Sequence, residues 1–404
     1  MAGGAAVIFE SKSPGRRPAE RRWSMVQGAT AAPREAIAWV YAPHFIGNPY
    51  QALLTMGMAD HDIAAVGAGS VSEGVRAITG AKHVRQRVLH LHWLNGVLNG
   101  VDSVEAAQER VDGFARQLDA VQREGVKLVW TMHNVLPHES VFEDQEVRIR
   151  ELVVERADLV HIMNPDSVAM AAPYFSIPAD KVVRVEHPGY QGYYPQWISK
   201  AAARLQFGFA PGEQVLLVLG AIKPYKGLLE LAATVDDFTR QHPRRATLLI
   251  AGGAGNDDGT RRLLDLADRH PAIHVLPERI VQEDVGTLFA AADVAVVPYR
   301  ASLNSGALVL ALSMGTPVLA RSTAGSTHLL RDGAGIVYDD DHLLTQAMLD
   351  TRWHESASQA AARMARRLRP VHVSNVFGRV ARAFVDQGVL AAQAAAGPDG
   401  GLDD

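Results

Sequence analysis

The chain contains no cysteine, and this absence alone excludes several classes of protein. Without thiols there is no disulfide framework, no thiolate zinc site and no cysteine nucleophile. The sequence also has no run of about 18 uncharged apolar residues, so it predicts no transmembrane helix. Its formal net charge of −4 provides no broad basic face of the kind that nucleic-acid binders need. A nucleic-acid partner is therefore not expected.

What the chain has in quantity is length and apolar residues. Its 404 residues, 48% of them hydrophobic, suggest two domains at roughly 150 residues each. Residues 1–35 are rich in Gly, Pro and Arg and have no apolar period. We interpret them as a disordered leader, or as the product of an upstream start codon that places the native start at Met25. The Ala/Gly/Asp-rich end, residues 391–404, is expected to form a loose tail.

Twelve short apolar runs alternate with amphipathic segments in two series of six. The runs are almost continuously Val, Leu and Ile, as in parallel strands buried on both faces of a sheet. The predicted strands are 36–41, 62–66, 88–93, 126–132, 159–163, 182–186, 215–220, 247–251, 273–276, 294–298, 317–320 and 335–338. This alternation predicts an α/β fold of two doubly wound, Rossmann-like domains, 36–200 and 201–372. A helix over 373–390 is expected to pack back across the junction.

A glycine turn after the first strand of the second series is a candidate anion site. The sequence runs Gly-Ala-Ile-Lys-Pro-Tyr-Lys-Gly from Gly220 and contains Lys223 and Lys226. Ligands of open α/β sheets bind beyond the carboxyl ends of the strands, where backbone N–H groups and a lysine can neutralise a diphosphate. A plain strand–helix turn with lysines facing solvent explains the same residues equally well.

A second candidate anion site precedes a nearly apolar helix predicted over 307–314. Asn304 or Ser305 is expected to cap this helix, and Gly306 leaves its first turn uncovered. The N–H groups at such a helix start can hold a phosphate. A capped structural helix is the alternative, but it explains the neighbouring Tyr299 less well.

Histidines follow the strands of the first half. His92 and His133 end consecutive buried strands, so both are expected near the same sheet edge. Neutral imidazoles there can bind hydroxyl groups or transfer a proton. Metal binding is the other functional interpretation, but a carboxylate as third ligand is not evident. His138 and Glu139 follow His133 closely, and His187 follows the last strand of this half.

The first predicted strand is followed by a loop that opens a helix. Asn48 and Tyr50 lie in this loop, where an acceptor or a phosphate would approach the first domain. No strand is followed by Gly-x-Gly-x-x-Gly, and the chain has no P-loop. A nicotinamide-dinucleotide fold and a P-loop nucleotidase therefore have little support.

Taken together, these motifs resemble the GT-B glycosyltransferases, specifically the family-4-like group 1 enzymes that use nucleotide sugars. The resemblance covers about 36–387 and is based on His133, the 220–227 loop, and the sequences Ala-Ala-Asp-Val at 291–294 and Gly-Thr-Pro-Val at 315–318. It implies two domains facing a central cleft. It also implies transfer of a hexose from a nucleoside diphosphate sugar to a lipid-linked, saccharide or small-molecule acceptor. The nucleotide sugar is then a co-substrate, with no cofactor and no metal.

The resemblance also implies roles for particular residues. The second domain would bind the donor and the first domain the acceptor. The implied donor-binding residues are Gly220, Lys223, Lys226, Glu278, Arg279, Ile280, Tyr299, Asn304, Ser305 and Gly306. The implied acceptor or cleft residues are Asn48, Tyr50, His92 and His187. If the reaction inverts, the candidates for a catalytic base are His133, His138 and Glu139, in that order; if it retains, His133 would hydrogen-bond the donor sugar.

Two departures from the family pattern concern the donor and the stereochemistry. Ala221 stands where the family usually has an arginine, and Lys223 is a substitute for it. The family's two glutamates are replaced by Ser302 and Leu310. This pattern is similar to a bacterial subgroup around the β-mannosyltransferases of exopolysaccharide assembly. The donor base, GDP or UDP, and the retaining or inverting outcome stay open.

Two other functions and a membrane contact are alternatives. A nucleotide-sugar epimerase shares the architecture but needs acid and base carboxylates on both sides of the sugar. A degenerate, non-catalytic protein that binds nucleotide or a partner would account for the missing glutamates. The basic residues of 82–87 and 363–369 either contact anionic lipid or form solvated surface, which is the commoner case. The expected location is cytoplasmic, with peripheral contact at the inner face of the membrane as an option; the oligomeric state is left open.

Overall fold

Each half of the chain folds around a six-stranded parallel sheet. The computed structural model describes residues 36–137, 140–210, 212–398 and 400. The first sheet contains β1 Ile37–Ala42, β2 Ile63–Gly67, β3 Gln86–Leu91, β4 Lys127–Thr131, β5 Leu159–Ile162 and β6 Val182–Arg184. The second contains β7 Gln214–Leu219, β8 Ala246–Ala251, β9 Ile273–Leu276, β10 Val294–Val297, β11 Val318–Arg321 and β12 Gly335–Tyr338. All twelve predicted strands are present, and each boundary lies within two residues of its prediction.

The strand orders are those of doubly wound domains. The first sheet has the order β2-β1-β3-β4-β5-β6, and the second has β12-β11-β10-β7-β8-β9. Alternate residues of β1 enter different cores: Ala38 and Val40 pack on one side of the sheet, Ile37 and Trp39 on the other. Side chains of a strand point alternately to the two faces, so a strand covered on both sides must be apolar throughout. The predicted two-domain α/β fold is confirmed.

Helices connect the strands and cover both sheets. Those of the first domain are α1 Tyr50–Thr55, α2 Val71–Gly80, α3 Val104–Arg123, α4 Glu143–Arg156 and α5 Ser167–Ala171. Those that follow are α6 Lys200–Phe207, α7 Leu228–Gln241, α8 Asp258–Arg269, α9 Gln282–Ala291, α10 Gly306–Ser313, α11 Ala324–Leu330, α12 Asp341–Leu349, α13 Trp353–Arg367, α14 Pro370–Gln387 and α15 Val389–Ala396. None of the helices in the described ranges is long and apolar enough to cross a membrane.

The C-terminal helices return to the first sheet. Helix α14 begins at Pro370, three residues earlier than predicted, and buries Phe377 and Phe384 in the core beside β1. The prediction of a loose tail from residue 391 is wrong for the residues up to 396. These residues continue α15, whose Ala392 and Ala396 are buried in the same core. The alanines that suggested a loose tail are strong helix formers and pack closely. Residues 1–35 and 401–404 lie outside the described residues.

The chain passes between the domains twice, and the two passages touch. The first is the segment 185–199, and the second joins α13 to α14 at residues 368–369. The Gly189 N–H donates to the Leu368 carbonyl at 2.6 Å, and the Gln191 side-chain amide donates to the Ala365 carbonyl at 2.6 Å. A Cβ on Gly189 would lie 2.7 Å from the Leu368 oxygen, closer than real Cβ contacts. The two passages therefore form one joint.

A buried hydrogen bond links the domains beside this joint. The Arg331 guanidinium donates to Nδ1 of His328 at 2.8 Å, so Nε2 of a neutral His328 carries the proton. This N–H lies 3.1 Å from both carboxylate oxygens of Glu186, which follows β6 in the first domain. Separation of the domains here would leave a buried carboxylate without its donor, which is costly.

Candidate active site

A cleft of about 780 Å³ lies between the two domains. It is lined by Gly47, Asn48, Pro49, Tyr190, Tyr194, Leu219, Gly220, Ala221, Tyr225, Lys226, Gly252, Gly253, Arg279, Ile280, Val285, Tyr299, Ala301, Ser302, Asn304, Ser305, Gly306, Ala307 and Leu310. Most of these residues follow β1, β7, β8, β9 and β10. The cleft is thus built from the carboxyl ends of strands in both sheets, the usual place of ligands in open α/β folds.

Lys226 is a buried cation that faces this cleft. It ends a 3-10 turn after β7, and only 8% of its surface is exposed. Its Nζ lies 5.1 Å from the centroid of the Tyr299 ring. No carboxylate pairs with it within the described part of the chain. Burial, together with the neighbouring Lys223, lowers the pKa of Lys226 to about 8. A buried ammonium group without a counterion is an arrangement suited to an anionic ligand.

The start of α10 opens into the same cleft. Ser305 is the N-cap, because its Oγ accepts the Leu308 N–H at 3.2 Å. The first N–H groups of a helix have no partner within the helix, and those of Gly306 and Ala307 lie at the cleft wall. Gly306 keeps this wall open, since a Cβ there would lie 3.1 Å from the Tyr190 hydroxyl oxygen. The helix dipole adds positive potential at this point.

Asn304 ties the loop before α10 to the first domain. Its side-chain amide donates to the carbonyl oxygens of His133 at 3.0 Å and Met132 at 3.3 Å. A second bond runs from the first domain to the second: the Asn164 side-chain amide donates to the Leu303 carbonyl at 3.0 Å. Asn304 therefore bridges the domains, while Ser305 alone caps the helix. The bridge places the strand end that carries His133 directly against the cleft.

A chain of hydrogen bonds fixes the histidines beneath the cleft. Trp39 Nε1–H donates to His90 Nδ1 at 3.2 Å, and His90 Nε2 lies 2.6 Å from Thr131 Oγ1. Thr131 Oγ1 lies 2.9 Å from His161 Nδ1, and His161 Nε2 lies 2.9 Å from the Val185 carbonyl. A carbonyl only accepts, so His161 carries its proton on Nε2 and the direction of every bond follows. His90 and His161 are therefore satisfied neutral core residues.

His92 and His133 form a separate pair next to the cleft. His92 Nδ1 lies 3.0 Å from His133 Nε2. Burial first, and then the neighbouring histidines, lower the pKa of both residues well below the usual range, so both are neutral. His92 Nε2 is buried without a partner. Because orphaned buried N–H groups are rare, the proton of His92 belongs on Nδ1, where it is donated to His133. His133 then carries its own proton on Nδ1.

Aromatic rings hold the His133 side chain in place. Its ring stacks on Trp93 with centroids 4.0 Å apart and planes at 16°. Tyr50 contacts it edge-on at 4.9 Å and contacts His187 at 4.8 Å. His133 keeps 9% of its surface exposed, whereas Tyr50 and His92 keep only 1% each. Of these three side chains, His133 is thus more exposed than Tyr50 and His92.

The structure separates the predicted site residues into four sets. Asn48, Gly220, Lys226, Arg279, Ile280, Tyr299, Asn304, Ser305 and Gly306 line the cleft. Lys223 and Glu278 are exposed and do not line it. Tyr50, His92, His133 and His187 are buried and are not among the residues that line it. His138 and Glu139 lie outside the described residues.

Several lining residues were missed in the sequence. Tyr225 stands inside the 220–227 turn, and Tyr190 lies three residues after His187, so both are close to residues that the sequence indicated. Tyr194 carries no local signal, since it lies in the segment between the domains. It reaches the cleft only because the two domains face each other.

Comparison with known proteins identifies the second domain. The family described as "Glycosyl transferases group 1" matches residues 213–351, which include the turn with Lys226 and the start of α10. A GDP-mannose:glycolipid 4-beta-D-mannosyltransferase of Xanthomonas campestris is 28% identical over 334 residues, covering 80% of this chain and 86% of the relative. These matches support a group 1 glycosyltransferase. A D-inositol 3-phosphate glycosyltransferase of Nocardioides sp. is 30% identical over 63% of this chain and 56% of that one.

Solved structures match this chain over most of its length. The sucrose-phosphate synthase of Thermosynechococcus elongatus superposes with a TM-score of 0.66 at 15% identity, over 87% of this chain and 99% of that one. Anabaena HepE in complex with UDP-glucose gives 0.62 at 17% identity, over 84% and 98% of the two chains. These likenesses establish the GT-B fold. The curated relatives described above are glycosyltransferases, which does not favour the epimerase or the non-catalytic interpretation.

Proposed function

We propose that this glycosyltransferase transfers a hexose from a GDP- or UDP-linked donor to a lipid-linked, saccharide or small-molecule acceptor, without a metal ion. The observation that carries the proposal is the buried ammonium group of Lys226, which faces the same cleft as the N–H groups of α10. In glycosyl transfer the leaving diphosphate gains negative charge in the transition state. Fixed positive groups at that position stabilise it without the reorganisation that water would need.

The comparisons support this choice of substrates. The Xanthomonas relative is named for GDP-mannose and a glycolipid, and the structurally similar Anabaena protein holds UDP-glucose. We assign the nucleotide to the domain of the second sheet, where Lys226 and α10 lie, and the acceptor to the domain of the first. Lys226 and α10 supply the positive charge that a divalent ion supplies in other transferases.

We assign His133 the part of a hydrogen-bond donor to the donor sugar rather than that of a base. Its pKa lies well below the usual range, and its Nε2 already accepts a hydrogen bond from His92. The remaining nitrogen, Nδ1, carries the proton and can donate to a sugar hydroxyl or ring oxygen. If the reaction inverts, we therefore assign the catalytic base to His138 or Glu139.

Calorimetric titration with UDP, GDP, ADP and CMP, in EDTA and in Mg²⁺, tests the nucleotide part of the proposal. We expect one diphosphate to bind selectively and with the same affinity under both conditions. The diphosphate that binds identifies the nucleotide base of the donor. Binding of none of them would refute a nucleotide-sugar enzyme, and binding only in Mg²⁺ would refute metal independence.

The affinity for that diphosphate is expected to fall at alkaline pH. Lys226 has a pKa of about 8 in the unliganded protein, so it is charged below pH 8 and loses its charge above it. Binding of the anionic diphosphate raises this pKa, so binding above pH 8 takes up a proton. The Kd should then rise toward ten-fold per pH unit. Titrations between pH 7 and 9.5 measure this pH dependence of the Kd. The phosphate groups of the nucleotide, with a pKa near 6, are ionised over this whole range and do not contribute to it.

The variant Lys226→Arg is the control for this pH dependence. Arginine stays protonated throughout this range, so its affinity should be flat where the wild type weakens. A wild-type affinity that is equally flat would show that Lys226 is not the group that binds the diphosphate.

A lipid-linked acceptor would place the enzyme at the cytoplasmic face of a membrane. Of the two basic segments, 82–87 is the weaker candidate for lipid contact, because Arg85 pairs with Asp386 and Arg87 lies 3.6 Å from Glu124. Arg363 and Arg366 are exposed one helical turn apart on α13. We assign peripheral contact with anionic lipid to that helix.

A further inference from the structure

A second pocket, of about 390 Å³, adjoins the cleft on the side of the first domain. It is lined by Asn95, Leu98, Asn99, Val101, Asn134, Pro137, Ser140, Val141, Phe142, Glu146 and Tyr225. Asn95, Leu98 and Asn99 belong to the turn after β3, and Asn134 follows β4. The pocket therefore stands at the carboxyl ends of the central strands of the first sheet.

Three side-chain amides and a mostly apolar remainder determine its chemistry. The amides of Asn95, Asn99 and Asn134 have no hydrogen-bond partner within the described residues. Each offers both donors and an acceptor, which is the combination that matches a hydroxyl group. Phe142 and Tyr225 add ring surface that can cover the C–H face of a sugar ring. Polar groups that fix orientation among apolar walls are typical of small-molecule sites.

The described lining of the pocket carries no unpaired charge. Glu146 is the one charged residue among the described lining residues, and its carboxylate is bonded to Arg150 Nη1 at 2.6 Å. Arg150 is held in turn by the Val135 carbonyl at 2.5 Å. No lysine, arginine or histidine of the described ranges lines this pocket. Phosphate recognition relies on such cations, so these walls do not suit a phosphorylated ligand.

The pocket meets the donor cleft at two points. Tyr225 lines both spaces. Asn134 directly follows His133, whose carbonyl oxygen is bonded to Asn304 of the cleft wall at 3.0 Å. A ligand held by the asparagines therefore has its near end beside His133. This is where an acceptor hydroxyl must lie to reach a donor sugar in the cleft.

We propose that this pocket binds an uncharged saccharide unit of the acceptor and selects it against a phosphorylated one. The inference rests on the proposed function and adds the chemical class of the acceptor at the reacting end. In this respect the chain differs from its D-inositol 3-phosphate glycosyltransferase relatives, whose names specify a phosphorylated acceptor.

Saturation-transfer NMR on the full chain, saturated with the nucleotide that calorimetry selects, tests the inference. The neutral probes are cellobiose, maltose and lactose, and the charged probe is myo-inositol 1-phosphate. We expect a neutral disaccharide to bind more tightly than the inositol phosphate. The double variant Asn95→Ala/Asn99→Ala should weaken it at least ten-fold, because each lost hydrogen bond typically reduces affinity several-fold. Both residues are exposed, so the fold is retained.

Asn256→Ala removes a similarly exposed amide outside both pockets and should leave binding of the disaccharide unchanged. The nucleotide Kd should be the same in all three proteins. The inference is overturned if no neutral disaccharide binds, if inositol phosphate binds more tightly, or if the double variant binds as the wild type does. Failure of the wild type to bind any nucleotide would overturn the proposed function as well, so the two failures are distinguishable.

Discussion

Replacing Lys226 with methionine is expected to remove the thermal stabilisation by the nucleoside diphosphate without lowering the Tm of the unliganded protein. Methionine fills a similar volume and needs no counterion. Burial holds the lysine pKa at about 8, below its value in an unfolded chain. Below pH 8 the lysine is charged in both the folded and the unfolded state. Burial of that charge lowers the free energy of unfolding by roughly 2–4 kcal/mol. The Lys226→Met protein should therefore unfold at the same or a higher temperature at pH 7.

The same substitution should raise the Kd for the diphosphate about 30- to 1,000-fold. This range corresponds to roughly 2–4 kcal/mol for a buried, charge-assisted contact. Calorimetry at pH 7 measures the Kd, and scanning calorimetry measures the Tm with and without ligand. Lys82→Met is the matched control, because Lys82 is exposed and lies outside the cleft. A Lys226→Met protein that binds like the wild type would contradict our assignment of the diphosphate to this turn.

The second large effect is expected at His133 and depends on its neighbour. His133→Ala should lower kcat by about 10²-fold or more, the range typical of losing one hydrogen-bond donor that is positioned for the transition state. His92→Asn should keep most of the activity, because an asparagine amide can replace the Nδ1–H that His133 accepts at 3.0 Å. His92→Phe fills the space but donates nothing, and it should lower kcat about ten-fold or more.

Steady-state transfer kinetics on the four proteins measure these differences. Scanning calorimetry should find His92→Asn and His92→Phe similarly folded, so that a loss in activity reports the hydrogen bond and not the packing. Equal activity of His92→Asn and His92→Phe would mean that His92 does not set the proton position of His133. Full activity of His133→Ala would remove His133 from the reaction.

The strands were predictable because their signal is local. A run such as Val215–Leu219 is apolar whichever partner covers it, and glycine or proline marks its end. The sequence predicted that α14 returns to the first domain but not how far it extends. Phe377 and Phe384 are buried by a sheet whose strands all end before residue 185. The Ala-rich composition of residues 391–396 fits a loose tail and a packed helix equally. The helix forms because the first sheet buries one side of it.

The site was harder to predict because burial is a property of the assembled fold. Lys223 and Lys226 are alike in sequence, yet the 3-10 turn directs one to solvent and the other into the cleft. His92 and His133 both end strands, but Tyr50 and Trp93 enclose them to different degrees. The open asparagines after β3 went unnoticed because polar residues in a turn are ordinary in any protein.

The touching passages at Gly189 and Leu368 determine how the enzyme can move. Because these two chain segments are bonded to each other at one place, we expect relative motion of the domains to turn about that place rather than to slide them apart. Such a rotation would change the width of the cleft most at the rim farthest from Gly189 and least beside Tyr190, which lines the cleft next to that residue. A closing motion would therefore shut out water around the sugar while the wall behind the diphosphate stays almost still.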